Sequence, residues 1–174
     1  MNSPRLDVAA VSALDQAHFV ALLGGVFEHS PWVAERAWAA RPFATTAQLH
    51  AAMVAAVMAA GPELQLALIG AHPELAGKEA VAGTLTADSR GEQSGAGLDR
   101  CSSQELSELR ELNRRYRAAH GFPFVMAVKG YGRAEILAAL RARVEQTTRT
   151  EFARCLQEIA KIGAWRLAVL VADD

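Results

Sequence analysis

His72 is the histidine whose neighbours most suggest chemistry, because Pro73 follows it directly. Proline disfavours the α region in the preceding residue and suits the first turn of a helix, so the pair predicts an imidazole at a helix entrance. The helix dipole there would favour a neutral ring, which can accept a proton from a substrate hydroxyl and later return one. A surface histidine that fills an N-cap position is the simpler interpretation of one His-Pro pair.

Ser89 lies three residues before Glu92, which is the spacing of a capping box, and Gln93 is adjacent. By itself this pattern predicts only that a helix begins here, and the spacing alone favours that interpretation. The functional alternative is that Glu92 and Gln93 face a pocket and exchange hydrogen bonds with a polar, amide-rich ligand.

Arg166 falls in an otherwise apolar helical stripe, seven residues after Ile159, four after Ile162 and four before Leu170. A charge in such a stripe needs a partner. An internal ion pair or a snorkelling side chain would explain it, and so would a guanidinium that binds a substrate carboxylate. Periodicity leaves these alternatives open.

The segment Gly121-Phe122-Pro123-Phe124 combines a hinge, two aromatic rings and a turn fixed by proline. Such a loop could present backbone N–H groups to a ligand and cover it with Phe122 or Phe124. Plain core packing explains the two rings equally well.

Composition limits the other classes of function. A chain of 174 residues fits one compact domain, and no stretch approaches the roughly 20 apolar residues that span a bilayer. The net charge of −1 offers no global field that would attract nucleic acid or anionic lipid, so a small ligand suits the chain better. The other histidines form no HxxxH pair and suggest no metal site; they are His18, His29, His50 and His120.

Two further patterns concern the cellular compartment. Cys101 and Cys155 stand far apart without a CxxC motif, so we expect reduced thiols rather than a zinc site or a disulfide framework. Residues 1–10 lack the apolar core of a signal peptide, and the last residues are not a peroxisomal Ser-Lys-Leu signal. We therefore expect a cytoplasmic protein.

The elements that must position these residues are predicted to be helices. Apolar spacing and capping residues predict helices from about Leu14 to Phe27, Ser30 to Arg41, Thr45 or Thr46 to Ala60, Pro62 to Gly70, Ser102 or Ser103 to His120, Arg133 to Gln146 and Thr150 onwards. Four glycines indicate an irregular region between Val81 and Cys101. The apolar run from Phe124 to Val128 has strand propensity but no second strong strand with which to pair.

Taken together, these segments resemble the 2-oxo-4-hydroxy-4-carboxy-5-ureidoimidazoline (OHCU) decarboxylase family, in the same order along almost the whole chain. The matching segments are 27–34 (FEHSPWVA), 72–77 (HPELAG), Ser89 with Glu92-Gln93 and Ala96-Gly97-Leu98, 121–124 (GFPF), and 158–162 (EIAKI) with Arg166-Leu167.

This resemblance implies an all-α fold, a single-domain helical bundle over residues 1–174, so the strand at Phe124 to Val128 is not expected. It implies a homodimer that needs no metal or organic cofactor. The family's substrate is the unstable product of 5-hydroxyisourate hydrolysis, and its decarboxylation yields (S)-allantoin in urate degradation. Neither nucleic acid nor a membrane is an expected partner.

The resemblance also implies roles for individual residues. His72 would be the principal acid–base group, Glu92 and Gln93 would orient the ureido and ring amides, and Arg166 would bind polar oxygen atoms of the substrate. The substrate pocket would be completed by Pro73, Ser89, Gln93, Phe122, Pro123 and Phe124. We expect His72 to hydrogen-bond the hydroxyl at the carbon that loses carbon dioxide, while the ring imine accepts the released electron pair.

Two other interpretations remain open. In a non-catalytic binding or dimerisation module, His72 would be a helix cap, Glu92 a capping-box acid and Arg166 a member of a structural ion pair. A decarboxylase of a related ureido acid would keep the same pocket chemistry. Convergence of the three side chains on one pocket would favour an enzyme.

Overall fold

Helices account for most of the chain in the computed structural model, which describes residues 5–172. These residues contain ten α-helices: α1 Val8–Ala13, α2 Gln16–Leu23, α3 Trp32–Ala37, α4 Thr46–Met58, α5 Pro62–Ala71, α6 Lys78–Ala82, α7 Ala87–Gly95, α8 Ser103–His120, α9 Arg133–Val144 and α10 Thr148–Leu170. Short 3₁₀ turns lie at Trp38–Ala40 and Leu98–Arg100. The strands β1 (Leu6–Asp7) and β2 (Val171–Ala172) form one short parallel pair. The predicted all-α fold is confirmed.

The described chain divides into two compact units. One unit comprises residues 5–71 with 160–172, and the other comprises residues 72–159. Helix α10 contributes its first part to the second unit and its remainder to the first. That the whole of residues 1–174 forms one domain stays a prediction.

Local capping signals predicted several helix ends correctly. The Thr45 hydroxyl accepts the Gln48 N–H at 3.1 Å before α4. Before α8, Ser102 and Glu105 form a reciprocal capping box, and Gly121 ends the helix in the left-handed region at φ +82°. These ends depend on residues close in sequence, which is why they were predictable.

Two predicted caps are wrong. The Ser30 hydroxyl donates to the carbonyl of Glu28 at 2.9 Å instead of capping α3. Helix α10 begins at Thr148 rather than after Thr150, and the Thr147 hydroxyl accepts the Thr150 N–H at 3.2 Å. At α10 three threonines, Thr147, Thr148 and Thr150, lie within four positions, and sequence spacing did not select the correct one. At α3 the N-cap position is Pro31, which has no side-chain cap hydrogen bond.

The predicted irregular region between Val81 and Cys101 is also wrong, because α7 occupies nine residues of it. The Thr86 hydroxyl accepts the Ser89 N–H at 3.2 Å and caps this helix. Gly91 lies inside α7 despite the helix-weakening effect of glycine. By contrast, residues 122–128 form neither helix nor strand, and the family resemblance implied the absence of a strand from Phe124 to Val128.

The corner between α4 and α5 is held by a buried amide. The Gln65 Nε2 donates to the carbonyls of Val57 and Met58 at 3.0 and 3.4 Å. These are the last two residues of α4, where helix carbonyls lack partners within the helix. Among the described residues, no single helix combines the length and hydropathy needed to cross a bilayer. Helices α4 and α5 meet those criteria only as a pair, and the chain bends by 116° between them.

In the first unit, α10 packs closely against the segment that follows α2. Gly163 lies in α10, and a Cβ atom placed there would approach the ring of Phe27 to 3.0 Å. Phe27 is fully buried, so its ring has little room to move. Glycine in a helix interior costs about 1 kcal/mol relative to alanine, and this close approach explains why it is found at 163.

We expect Gly163→Ala to lower the free energy of unfolding by about 1–3 kcal/mol, because the added methyl overpacks the Phe27 contact. The matched control is Gly91→Ala in α7, where an added Cβ meets nothing within 4 Å. That variant should be neutral or up to about 1 kcal/mol more stable, because alanine favours the helix. Urea unfolding of both variants measures the difference, and equal effects at the two positions would contradict this explanation.

Candidate active site

His72 lies in the loop of residues 72–77, between α5 and α6, and is only 6% exposed. It directly follows the C-terminal end of α5, so the predicted position at a helix entrance is wrong. Pro73 does not begin a helix either, since α6 begins at Lys78. The end of α5 next to His72 carries the negative pole of that helix, and the dipole argument for a neutral ring therefore does not apply.

The His72 loop is held by side-chain amides from two helices of the same unit. The Ala76 N–H donates to Gln93 Oε1 at 2.9 Å, and Gln93 Nε2 donates to the carbonyl of Glu74 at 3.4 Å. From α8, Asn113 Nδ2 donates to the carbonyl of Leu75 at 3.0 Å. Three consecutive loop residues therefore have backbone polar groups bound by Gln93 or Asn113.

Helix α7 carries Ser89, Glu92 and Gln93, but not in the arrangement of a capping box. Ser89 lies inside the helix, whose cap is Thr86, so the capping-box interpretation is wrong. Ser89 and Gln93 are buried one helical turn apart, whereas Glu92 is half-buried. The helix begins before Ser89 because Thr86 competes successfully for the cap, and this leaves Ser89 available for contacts inside the unit.

Phe122 and Phe124 belong to an aromatic cluster of the second unit. The Phe124 ring packs edge-on against Tyr116 with 5.3 Å between ring centroids, and Phe122 contacts His120 and Phe152, each with 5.9 Å between centroids. Both rings and Pro123 are buried. The structure therefore shows the two rings packed in the core of this unit. Substrate contact through this segment stays a prediction.

The backbone beyond Phe124 is held by two charged side chains. Arg143 Nη1 donates to the carbonyl of Val125 at 2.8 Å, and the Ala127 N–H donates to Glu158 Oε2 at 3.0 Å. Because residues 122–128 have no helix or strand partner, these contacts replace the backbone bonds of regular structure.

Arg143 is itself fixed by a buried polar cluster. Glu151 Oε2 accepts from Arg143 Nε at 2.8 Å and from the Tyr116 hydroxyl at 2.5 Å. Burial is the main cause that raises the pKa of Tyr116, and the nearby Cys155 thiol and Glu151 carboxylate add to it. Burial also raises the pKa of Cys155. The cluster keeps Tyr116 a neutral hydrogen-bond donor.

Arg166 lies in the first unit and forms a buried ion pair there. Its Nη1 donates to Glu28 Oε2 at 2.6 Å, and both side chains are almost fully buried. The structure therefore shows the internal ion pair, which is one of the interpretations that the sequence left open for Arg166. His29, next to Glu28, has φ +45°, which is unusual for a residue with a side chain.

Glu28 is the residue that sequence reasoning missed as the partner of Arg166. The two are 138 positions apart, so no local pattern joins them. A signal was present, because the matching segment 27–34 contains an acid directly after an aromatic residue, and the apolar stripe of α10 contains a charged residue. A charge that needs a partner could have directed the search to that acid.

The structure brings Gln93 and the His72 loop together, whereas Arg166 belongs to the other unit. Gln93 of α7 contacts the His72 loop directly. His72, Ser89, Glu92, Gln93 and the segment 122–124 belong to the second unit, and Arg166 belongs to the first. Convergence of His72, Glu92 and Arg166 on one pocket stays a prediction. Within residues 5–172, no group of three or more His, Cys, Asp or Glu side chains could hold a metal ion.

The family model described as OHCU decarboxylase matches residues 12–168 of this chain. The chain belongs to the OHCU decarboxylase family. An OHCU decarboxylase of Haloferax volcanii is 42% identical over 163 residues, which cover 94% of this chain and 95% of that protein. The predicted resemblance is confirmed over nearly the whole sequence.

Two other similar proteins are longer than this member of the OHCU decarboxylase family. The uric acid degradation bifunctional protein PucL of Bacillus subtilis is 42% identical over 94% of this chain, which spans only 32% of that protein. The crystal structure of an (S)-allantoin synthase superposes with a TM-score of 0.75 at 30% identity. The match covers 95% of this chain and 54% of the solved one.

We expect Glu28→Gln to lower the free energy of unfolding by about 3 kcal/mol, because the buried guanidinium of Arg166 loses the carboxylate to which its Nη1 donates at 2.6 Å. The double variant Glu28→Gln with Arg166→Met should recover much of that loss, since both charges of the pair are then removed together. Urea unfolding is the measurement, and the exposed pair Glu111–Arg114 is the control, where Glu111→Gln should change little. A double variant no more stable than Glu28→Gln alone would contradict the ion-pair account.

Proposed function

We propose that this enzyme of the OHCU decarboxylase family is a carbon–carbon lyase that converts OHCU to (S)-allantoin in urate degradation. The observation that carries the proposal is the family match over residues 12–168, combined with a buried histidine in a held loop. The Haloferax relative is named for this reaction and covers nearly the same length.

His72 is the proposed acid–base group. Its ring is buried, in a loop whose backbone is bound by Gln93 and Asn113, so the imidazole has a restricted position. In the proposed reaction the ring hydrogen-bonds the hydroxyl on the carbon that loses carbon dioxide. The electron pair of the broken carbon–carbon bond passes to the ring imine as carbon dioxide leaves. Protonation of the resulting intermediate on one face then sets the configuration of the allantoin product.

Gln93 is suited to hold both the loop and a substrate. A side-chain amide has two N–H donors and two carbonyl lone pairs, and the loop contacts use one of each. The remaining donor and acceptor match a ureido group or a ring amide. Ser89, one turn away on the same helix, is the proposed second polar contact, and half-buried Glu92 is proposed to orient the ureido and ring amides together with Gln93.

Further contacts complete the proposed site. Pro73 and the segment of Phe122, Pro123 and Phe124 are proposed to line the pocket, the segment through its backbone. Arg166 is proposed to bind oxygen atoms of the substrate, because a guanidinium carries five N–H donors in a fixed plane and Glu28 holds that plane in one orientation.

Location and assembly stay predictions of the sequence. Cys101 and Cys155 are both free, which agrees with a reducing compartment such as the cytoplasm. The homodimer and the absence of nucleic acid or membrane partners come from the family resemblance and the near-neutral charge. A decarboxylase of another ureido acid would use the same groups, and substrate assays distinguish the two cases.

We expect this protein to accelerate the appearance of optically active allantoin when urate oxidase and hydroxyisourate hydrolase generate OHCU in place. Circular dichroism at the allantoin bands measures the rate. His72→Ala should slow it by about 10²–10⁴-fold, as expected for a lost acid–base group. The control is His18→Ala, since His18 lies on the surface of α2 and contacts only its own cap residue Asp15 in the bonds described.

Either of two outcomes would overturn the proposal. Racemic allantoin that forms at the uncatalysed rate with the unmodified protein would refute the decarboxylase. Full activity of His72→Ala would refute the role of His72 while leaving the reaction in place.

A further inference from the structure

The His72 loop adopts a backbone conformation that it would not adopt alone. Ala76 has φ +49°, in the left-handed region that favours glycine. For a residue with a side chain this conformation is unfavourable, and it persists only where surrounding contacts determine it. Something outside the loop must therefore hold Ala76 and its neighbours in place.

The contacts that hold it come from buried amides. The carbonyl of Leu75, directly before Ala76, accepts from Asn113 Nδ2, and the N–H of Ala76 donates to Gln93. The peptide unit between Leu75 and Ala76 is thus fixed at both its oxygen and its nitrogen. Leu75 and Ala76 are themselves buried, so water is a poor substitute for either amide.

Asn113 is a buried residue on a regular helix, so its side-chain amide has a defined position. Its side chain is 3% exposed and lies on α8, a helix of 18 residues whose two ends are both capped. A rigid helix can hold a single donor in a defined position. A second bond from α8 to this loop, between Arg117 and Glu74, joins two side chains, and the Arg117 side chain is half exposed.

We infer that Asn113 is a positioning residue for the proposed decarboxylation: its amide fixes the Leu75–Ala76 peptide and thereby the backbone from which His72 extends. This inference rests on the proposed function, because it concerns the group that carries out the acid–base step. Asn113 does not contact the substrate in this account. Its effect should therefore appear in turnover more than in substrate binding.

The first test is Asn113→Leu, which keeps the approximate volume and removes the donor. We expect kcat to fall about 10–100-fold with KM changed less than about threefold, because small displacements of a reacting group are costly. The matched control is Gln65→Leu, which removes another buried amide that donates to backbone carbonyls, at the α4–α5 corner. Gln65→Leu should lower stability without lowering kcat at a temperature where both variants are folded.

The second test uses Asn113→Asp, which keeps the shape of the side chain. A protonated carboxyl can donate to the Leu75 carbonyl, but an ionised carboxylate cannot. The kcat of Asn113→Asp should therefore approach that of the unmodified protein as the pH falls and the carboxylate becomes protonated. This variant also serves if Asn113→Leu does not fold.

A third readout does not depend on activity. In Asn113→Asp at high pH, the backbone amide signals of Leu75 and Ala76 and the ring signals of His72 should shift in ¹⁵N NMR spectra, while those of His18 should not. Unmodified protein without decarboxylase activity would refute the proposed function, and the NMR readout would then still test the positioning. Folded Asn113→Leu with unchanged kcat, or an equal kcat loss in Gln65→Leu, would overturn the inference.

Discussion

Backbone polar groups that are removed from water must find hydrogen-bond partners, and two irregular segments of this helical protein cannot find them in regular structure. The His72 loop obtains them from Gln93 and Asn113. Residues 122–128 obtain them from Arg143 and Glu158. Helices of this fold therefore carry the amide and charged side chains that bind the backbone of segments without secondary structure. The proposed catalytic histidine lies in one of those segments.

The same requirement explains the ion pair of the first unit. A guanidinium in the apolar stripe of α10 is tolerated because the Glu28 carboxylate lies against it. The residue after Glu28, His29, has a left-handed backbone conformation. Unusual backbone angles thus occur next to the partner of Arg166 and inside the His72 loop. Conformations of this kind are often found at functional sites, where surrounding contacts maintain them.

Sequence reasoning predicted the all-α class, the family and the helix ends whose caps are local, such as Thr45 and Ser102. It placed His72 at the wrong end of a helix, because a His-Pro pair fits the end of one helix as well as the start of another. It assigned residues 81–101 as irregular because of four glycines, and its one helix signal there, Ser89 with Glu92, lies three residues after the observed cap Thr86. Asn113 and Glu28 could not be predicted from local patterns, because their contacts lie 38 and 138 positions away.

The central claim is that His72 acts directly on the reacting molecule, and product binding tests it. ¹⁵N NMR spectra of the five histidine rings can be followed while (S)-allantoin is added, with His72 assigned from its loss in His72→Gln. The account predicts that the His72 signals shift in a saturable way and that those of exposed His18 stay unchanged. Saturable binding of allantoin that leaves the His72 signals unmoved would contradict it.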